Sequence, residues 1–301
     1  MIKLKDILFE SEELDILKPR RSGEERTKNY LVALQKQIQN YIKNGSKGSL
    51  DLRNTPIQAL PDNLSVGGSL NLSYTPIQAL PDNLTVGGHL YLRNTQIQAL
   101  PDNLSVRGSF NLSYTPIKAL PDNLSVRGSL DLSYTPIQAL PDNLSVGDHL
   151  NLENTPIKAL PDNLTVGGDL NLENTPIQAL PDNLTKVGGS LNLENTPIQA
   201  LPDNLSVGGN LDLTESEIEV LPKDLSVGGS LDLSYTQIQA LPDNLSVGGS
   251  LDLSYTQIQA LPDNLSVGRH LYLRNTPLAK KYTREQLKQL LPGVKGRIHN
   301  V

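Results

Sequence analysis

From residue 50 onward the chain is a tandem array. A block that opens at Leu50 recurs at Leu70, Leu90, Phe110, Leu130, Leu150, Leu170, Leu191, Leu211, Leu231, Leu251 and Leu271. The step is 20 residues, lengthened once to 21 by Lys186, which gives twelve strand starts and eleven full units. A unit this short has no room for a pair of helices and holds one short strand with a tight return. A single copy cannot bury its own apolar edge, so stability must come from stacking coil on coil, and both ends of the stack need covers.

Within one unit, Leu70, Leu72, Thr75, Ile77, Leu80 and Leu84 stand in columns that are apolar or Thr in nearly every copy, whereas Asn71, Ser73 and Tyr74 stand in columns that vary. Leu64, Val66, Gly68, Leu70 and Leu72 alternate with period two, which predicts a strand at or around residues 69 to 73 with one face buried. Leu60-Pro61-Asp62-Asn63 reads as a turn, and Gly67-Gly68 lets the chain bend or pass close to its neighbour. Each buried aliphatic contributes about 1.5–3 kcal/mol, so the stack can be stable although one isolated coil cannot. At a strand spacing of about 4.8 Å the sheet is on the order of 55 Å long.

This organisation accounts for an unusual composition. The 301 residues include no Cys, no Trp, one Met and two Phe, against 21 Pro and 23 Gly. The core is one aliphatic cluster copied many times, with Pro and Gly at its corners. Without Cys there are no disulfides, thiolate zinc sites or cysteine nucleophiles. Residues 1–20 carry Lys3, Lys5, Asp6, Glu10, Glu12 and Glu13, so no ordinary secretory signal or transmembrane segment is expected there. The compartment is not fixed by the sequence, and a cytoplasmic or virion-associated location is the expectation.

The pattern Leu70-x-Leu72-x-x-Thr75-x-Ile77 resembles the strand signature of leucine-rich repeats, with Thr in the place of the family's Asn. Leu80-Pro81 and the 20-residue period are most similar to the short bacterial class found in secreted effectors of the YopM and IpaH kind. Related Val-Gly-Gly repeats occur in phage and bacterial proteins. The resemblance covers residues 49–278 and implies a β-solenoid, a leucine-rich-repeat-like right-handed coil with one parallel sheet and α-helical N- and C-terminal caps. Two departures stand out. Where the effectors carry a Leu three residues before the strand, this chain has Gly67, Gly87 or Arg107, so the return path must differ. The ubiquitin-ligase members need a catalytic Cys in an extra domain, and neither is present.

The expected division is a helical cap over residues 1–48, the solenoid over 49–278 and a second cap over 279–301. Ser22 with Glu25 reads as a capping box, Tyr30, Leu34, Ile38, Tyr41 and Ile42 as one helical face, and Asn44-Gly45 as the stop. Thr283 with Gln286 opens a short helix whose Leu287, Leu290 and Leu291 can cover the last coil, ended by Pro292-Gly293. For the amphipathic segment Ile2–Leu17 two readings stand, packing on the cap or docking elsewhere, including on a membrane surface. Charge divides unevenly. Residues 1–48 hold 10 basic and 7 acidic side chains, 49–276 hold 10 and 24, and 277–301 hold 6 and 1, that is +3, −14 and +5 within the total of −6. An acidic solenoid repels phosphate, so no nucleic acid is expected along it. Self-association through the basic termini is electrostatically open.

Candidate chemistry is sparse. His89, His149 and His270 share a column but sit three and six coils apart, roughly 14 and 29 Å, too far to share a metal. The Asp column that begins at Asp62 reads as turn chemistry, and Lys223 interrupts it without supplying a ligand. Calcium there stays open, although no metal or cofactor is the expectation. The hydroxyl column Thr55 to Thr276, with Ser216 in one coil, reads as satisfying backbone at the bend, and the mixed columns beside it do not form an ice-binding array. No catalytic trio or phosphate loop is present, so no enzyme is expected.

What varies is the exposed strand face, and seven of the ten Tyr lie on it. Its candidate binding residues are Arg53, Tyr74, His89, Tyr91, Arg93, Tyr114, Tyr134, Glu153, Glu173, Glu194, Tyr235, Tyr255, Tyr272 and Arg274. Variation there on a constant scaffold, with Tyr and Arg prominent, fits a non-enzymatic platform for another protein, centred on Tyr114, Tyr134 and the three Glu. The alternative is an architectural role, as a virion or surface component that assembles through its caps.

Overall fold

A computed structural model describes residues 23–122 and 124–300. The segment Ile2–Leu17 and the capping box proposed for Ser22 and Glu25 lie outside the described residues or side chains.

Every unit contributes a two-residue strand, from Leu50–Asp51 to Leu271–Tyr272, and these pair in parallel with each residue opposite its own copy in the next coil. The Leu and Ile columns point inward. Leu52, Leu70, Leu72, Ile77, Leu90, Leu92 and Ile97 are fully buried, and Phe110 takes a Leu position without being exposed. Three backbone bonds join successive coils across the strand, as in Leu50 N–H to Ser69 O at 2.8 Å, Leu52 to Asn71 at 2.8 Å and Asn54 to Ser73 at 3.0 Å. The strand hydroxyl column bonds within its own coil. Thr75 Oγ1 donates to Leu72 O at 2.7 Å, and Ser216 repeats the bond to Leu213 O.

The extended run expected around the strand is divided by the Gly-Gly corner, and the part before the corner forms ladders of its own. Ser65–Val66, Thr85–Val86 and Ser105–Val106 make one, Ser125–Val126 to Thr165–Val166 a second, and Lys186–Val187 to Ser266–Val267 a third. The gaps between ladders coincide with departures in the sequence. One falls where Arg107 and Arg127 take the first Gly position in adjacent coils, and the other falls at the inserted Lys186. At this corner the backbones almost touch. A β-carbon on Gly248 would lie 2.1 Å from the carbonyl oxygen of Gly228.

The N-terminal end is closed by α1 (Gly23–Lys43). Leu34, Ile38 and Tyr41 are buried against the first coil, whereas Ile42, expected on the same face, is 41% exposed. The helix stops in a Schellman turn: Gly45 is left-handed at φ +81°, its N–H bonds Ile42 O, and Ser46 N–H bonds Tyr41 O. Tyr41 then ties the cap to the stack, since its hydroxyl donates toward Ser46 O and Gly48 O and accepts from Gly67 N–H.

The C-terminal cap goes beyond the expected helix. Thr276 caps α2 (Pro277–Lys281), and Thr283 with Gln286 forms the expected capping box of α3 (Arg284–Leu290). Leu287 and Leu291 are buried, but Leu290 points outward at 53% exposure. Beyond the helices the chain returns as a thirteenth strand, Ile298–His299, paired with Leu271–Tyr272, and Val294 bridges Val267. The cap is therefore also a partial coil. Its Val294-Lys295-Gly296-Arg297-Ile298 copies the Val-x-Gly-x-Leu spacing of the repeat, and Gly296 makes the same close approach, with a β-carbon position 2.1 Å from Arg269 O.

Because a β-carbon on Gly248 would meet the Gly228 carbonyl oxygen, Gly248→Ala is expected to destabilise the protein by about 1–3 kcal/mol, whereas Arg107→Gly leaves the neighbouring ladder intact. Thermal unfolding of the two variants checks this.

Candidate functional site

Two of the face columns are occupied largely by the fold itself. In the column just before each strand, side chains accept the backbone N–H of the same position one coil on. Ser49 accepts from Ser69, Ser69 from His89, His89 Nδ1 from Ser109, and the series continues to Ser250 with His270 and His270 Nδ1 with Arg297. In the twelve repeat coils every occupant of this column is Ser, His, Asp or Asn, side chains that can accept there. His89 is thus a ladder member at the edge of the face, 5.9 Å from Tyr91. His149 Nδ1 lies 2.9 Å from Asp169 N and 3.0 Å from Asp169 Oδ2. We assign the first contact as the hydrogen bond, because Nδ1 accepts the amide at this position in the His89 and His270 coils as well.

In the column after the first strand Leu, Asn or Asp folds back to accept the N–H two residues on, as Asn71 does from Ser73 at 3.0 Å and Asp232 from Ser234 at 2.9 Å. Ten coils make this bond. The two others carry Tyr91 and Tyr272.

The Tyr column is different in kind. All twelve of its residues have left-handed backbone, from φ +53° at Asn195 to +61° at Tyr255. Asn tolerates that conformation, and six coils use it. Tyr74, Tyr114, Tyr134, Tyr235 and Tyr255 adopt it with a bulky ring, and four of them remain 42–52% exposed. Each follows a buried Ser: Ser73, Ser113, Ser133, Ser234 or Ser254. In the remaining coils Arg, Glu or Thr precedes Asn or Glu215, so the two columns change together.

Stacking coils about 4.8 Å apart brings these side chains into a continuous run. Tyr114 and Tyr134 stack at 4.5 Å, and Tyr235 and Tyr255 at 4.4 Å, each pair 9° from parallel. Arg93 lies 4.4 Å over the Tyr114 ring, while its Nε donates to the Tyr74 hydroxyl at 3.1 Å and its Nη1 to Ser113 at 3.1 Å. Arg274 sits 5.8 Å over Tyr255. Tyr134 donates to Glu153 Oε1 at 2.8 Å. Tyr272 stacks on His299 at 4.7 Å in the terminal strand. Arg53, by contrast, pairs with Asp51 at 3.0 Å in its own coil and joins no aromatic run.

Between the tyrosine pairs the face is acidic. Partial burial, with Glu173, Asp212, Glu215 and Asp232 nearby, pushes the Glu194 carboxyl above its ordinary value. Asp252 is likewise raised, by burial first. Glu215 and His299 are face residues that the sequence reading passed over. Glu215 was detectable because it stands in the Tyr column, and His299 because its segment copies the repeat. Among the described residues no group of three His, Asp or Glu is arranged to hold a metal ion. A depression of about 620 Å³ lined by Glu219, Val220, Lys223 and Gln239 belongs to the return side of the divergent coil and not to the strand face.

Accepting a hydrogen bond from the Tyr134 hydroxyl, the Glu153 carboxylate holds that phenol's pKa up at about 12, with partial desolvation adding to the shift. Glu153→Gln is expected to bring the Tyr134 titration back toward the ordinary phenol range, with ionisation above neutral pH read by ultraviolet difference absorbance.

No family profile matches the chain, and no curated protein matches it. Solved structures do. The Drosophila Toll–Spatzle complex is similar over 83% of this chain and 48% of that one, at 16% identity and a TM-score of 0.52, a likeness of fold alone. A leucine-rich-repeat protein of Leptospira interrogans overlaps 82% of this chain and 83% of its own, at 20% identity and a TM-score of 0.47. The leucine-rich effector YopM of Yersinia pestis overlaps 93% and 100%, at 15% identity and a TM-score of 0.45. The chain folds as a leucine-rich-repeat-like β-solenoid of 20-residue coils.

Proposed function

We propose that the protein is a non-enzymatic binding platform and that its strand face, between Arg93 and Arg274, receives another protein. One observation carries this reading: five tyrosines occupy left-handed positions where asparagine folds more easily, and four of them are exposed. A left-handed backbone costs a bulky L-residue about 1–2 kcal/mol. Backbone strain of this kind collects at functional sites. Tyr and Arg are also the side chains on which interface energy concentrates, and here Arg93 is braced between Tyr74 and Tyr114. Nothing comparable points to catalysis. Among the described residues the one carboxylate bonded to a tyrosine of this column, Glu153, raises the Tyr134 pKa and so keeps that phenol protonated.

Two outcomes follow. Tyr74 has no stacked tyrosine partner, so Tyr74→Asn is expected to stabilise the fold by about 0.5–1 kcal/mol, read by denaturant unfolding, because relief of strain outweighs one exposed hydrogen bond. Tyr114→Asn combined with Glu173→Lys is expected to keep the circular dichroism of the parent and to lose the proteins that the immobilised parent chain retains from an extract of its source. Undiminished retention by that folded variant would overturn the assignment of the strand face.

A further inference from the structure

The face reads in the same order from either end. Going inward from the N-terminal side, successive coils present Arg93, Tyr114, Tyr134 and Glu153. Going inward from the C-terminal side, they present Arg274, Tyr255, Tyr235 and Glu215. The order reverses between the coils of Glu173 and Glu194. The coils at the two ends of this run, the third and the twelfth, are identical over His-Leu-Tyr-Leu-Arg-Asn-Thr, residues 89–95 and 270–276. The contacts repeat as well. Each half contains one parallel tyrosine stack, at 4.5 and 4.4 Å, with a guanidinium over its outer ring and a carboxylate beyond its inner one. On the inner side Tyr134 is bonded to Glu153, and the Glu215 charge raises the Tyr235 phenol, though less than partial desolvation and Tyr255 do. The halves differ in detail: Glu215 comes from the Tyr column and Glu153 from its neighbour, and Tyr74 has no counterpart.

We propose that the strand face carries two docking half-sites of matching side-chain order, each of which takes a short extended peptide segment bearing a cationic side chain and, about four residues away, a carboxylate. The inference rests on the strand-face reading and specifies its ligand. Within a half-site the acid and the guanidinium are three coils apart, roughly 14 Å, which an extended chain covers in about four residues. The cation meets Glu153 or Glu215, the carboxylate meets Arg93 or Arg274, and the residues between lie over the stacked rings. Arg93 has five N–H donors, of which Tyr74 and Ser113 engage two, so donors are left for a carboxylate. The inner ends of both half-sites are acidic and the outer ends basic. Two bound segments therefore run in opposite directions with their cationic ends facing. A second copy of this chain does not fit face to face in full register, because the mirrored order then sets acid against acid in either orientation.

The test is isothermal titration of the whole protein with a capped synthetic peptide in which a lysine and an aspartate are separated by three residues, the middle one phenylalanine. The expected result is two peptides per chain. Tyr114→Asn with Tyr134→Asn, substitutions that the fold already accommodates in six coils, reduces this to one, as does Tyr235→Asn with Tyr255→Asn, and the fourfold variant binds none. Two peptides joined by a flexible linker through their lysine ends bind once, at least tenfold more tightly than the single peptide, whereas joining through the aspartate ends gives no such gain. One peptide per chain, abolished by either tyrosine pair, overturns the paired half-sites and leaves the strand face standing. Binding that survives all four substitutions overturns the half-sites and counts against the strand face. No binding at millimolar peptide overturns the half-site chemistry, while the strand-face reading is still decided by the Tyr114 and Glu173 variant.

Discussion

Backbone contact between neighbouring coils at the glycine corner governs this molecule. With carbonyl oxygens of one coil lying where the next coil's β-carbons would be, the coils are locked at one strand spacing and in one register. Every side chain consequently has its own copy as a neighbour on both sides. This rule is harmless for Leu and Ile, which interlock, and it organises everything polar. Tyrosines stack on tyrosines, hydroxyls and imidazoles pass one acceptor to each following amide, and partial burial together with neighbouring carboxylates holds Glu194 above its ordinary range. Where the rule is broken, at Arg107 with Arg127 and at Lys186, the return ladder stops and the main sheet continues. The strand face is therefore the more robust of the two surfaces.

Much of the fold was legible because the repeat separates constant columns from variable ones. Leu72 and Ile77 announce the core, Thr283 with Gln286 announces a helix start, and Gly45 announces a stop. What escaped notice is what looks like variation but is equivalence. Ser69, His89 and Asp169 differ in every property except the ability to accept an amide proton, and that shared ability is their role. Asn71 and Asp131 likewise perform one local bond. In the other direction, Asn94 and Tyr114 look like an unremarkable polar substitution until the backbone dihedral is known. Only then does the tyrosine become the costly choice. Ile298 was missed because the helices of the cap separate it from the array, although its spacing to Val294 copies the repeat.

For the candidate site, the residues on the face and their aromatic character were legible, and their connections were not. Sequence columns place Arg93 and Tyr114 in neighbouring coils but do not show a guanidinium over a ring, or Arg53 bound into its own coil instead. Tyr134 and Glu153 likewise become a unit only when the phenol and carboxylate meet.

The acceptor column has a consequence for how such a chain can change length. Because Ser, His, Asp and Asn are interchangeable links, a whole coil can be gained or lost by unequal recombination without breaking the chain of bonds on either side of it. The end pieces would close the shorter or longer stack as before. Removing the coil that carries Glu173 would bring the two tyrosine pairs closer by one strand spacing, about 4.8 Å, and duplicating it would move them apart by the same step. The solenoid is in this sense a ruler whose graduations are inherited, and the separation of its two aromatic marks is a quantity that selection can adjust without redesigning either one.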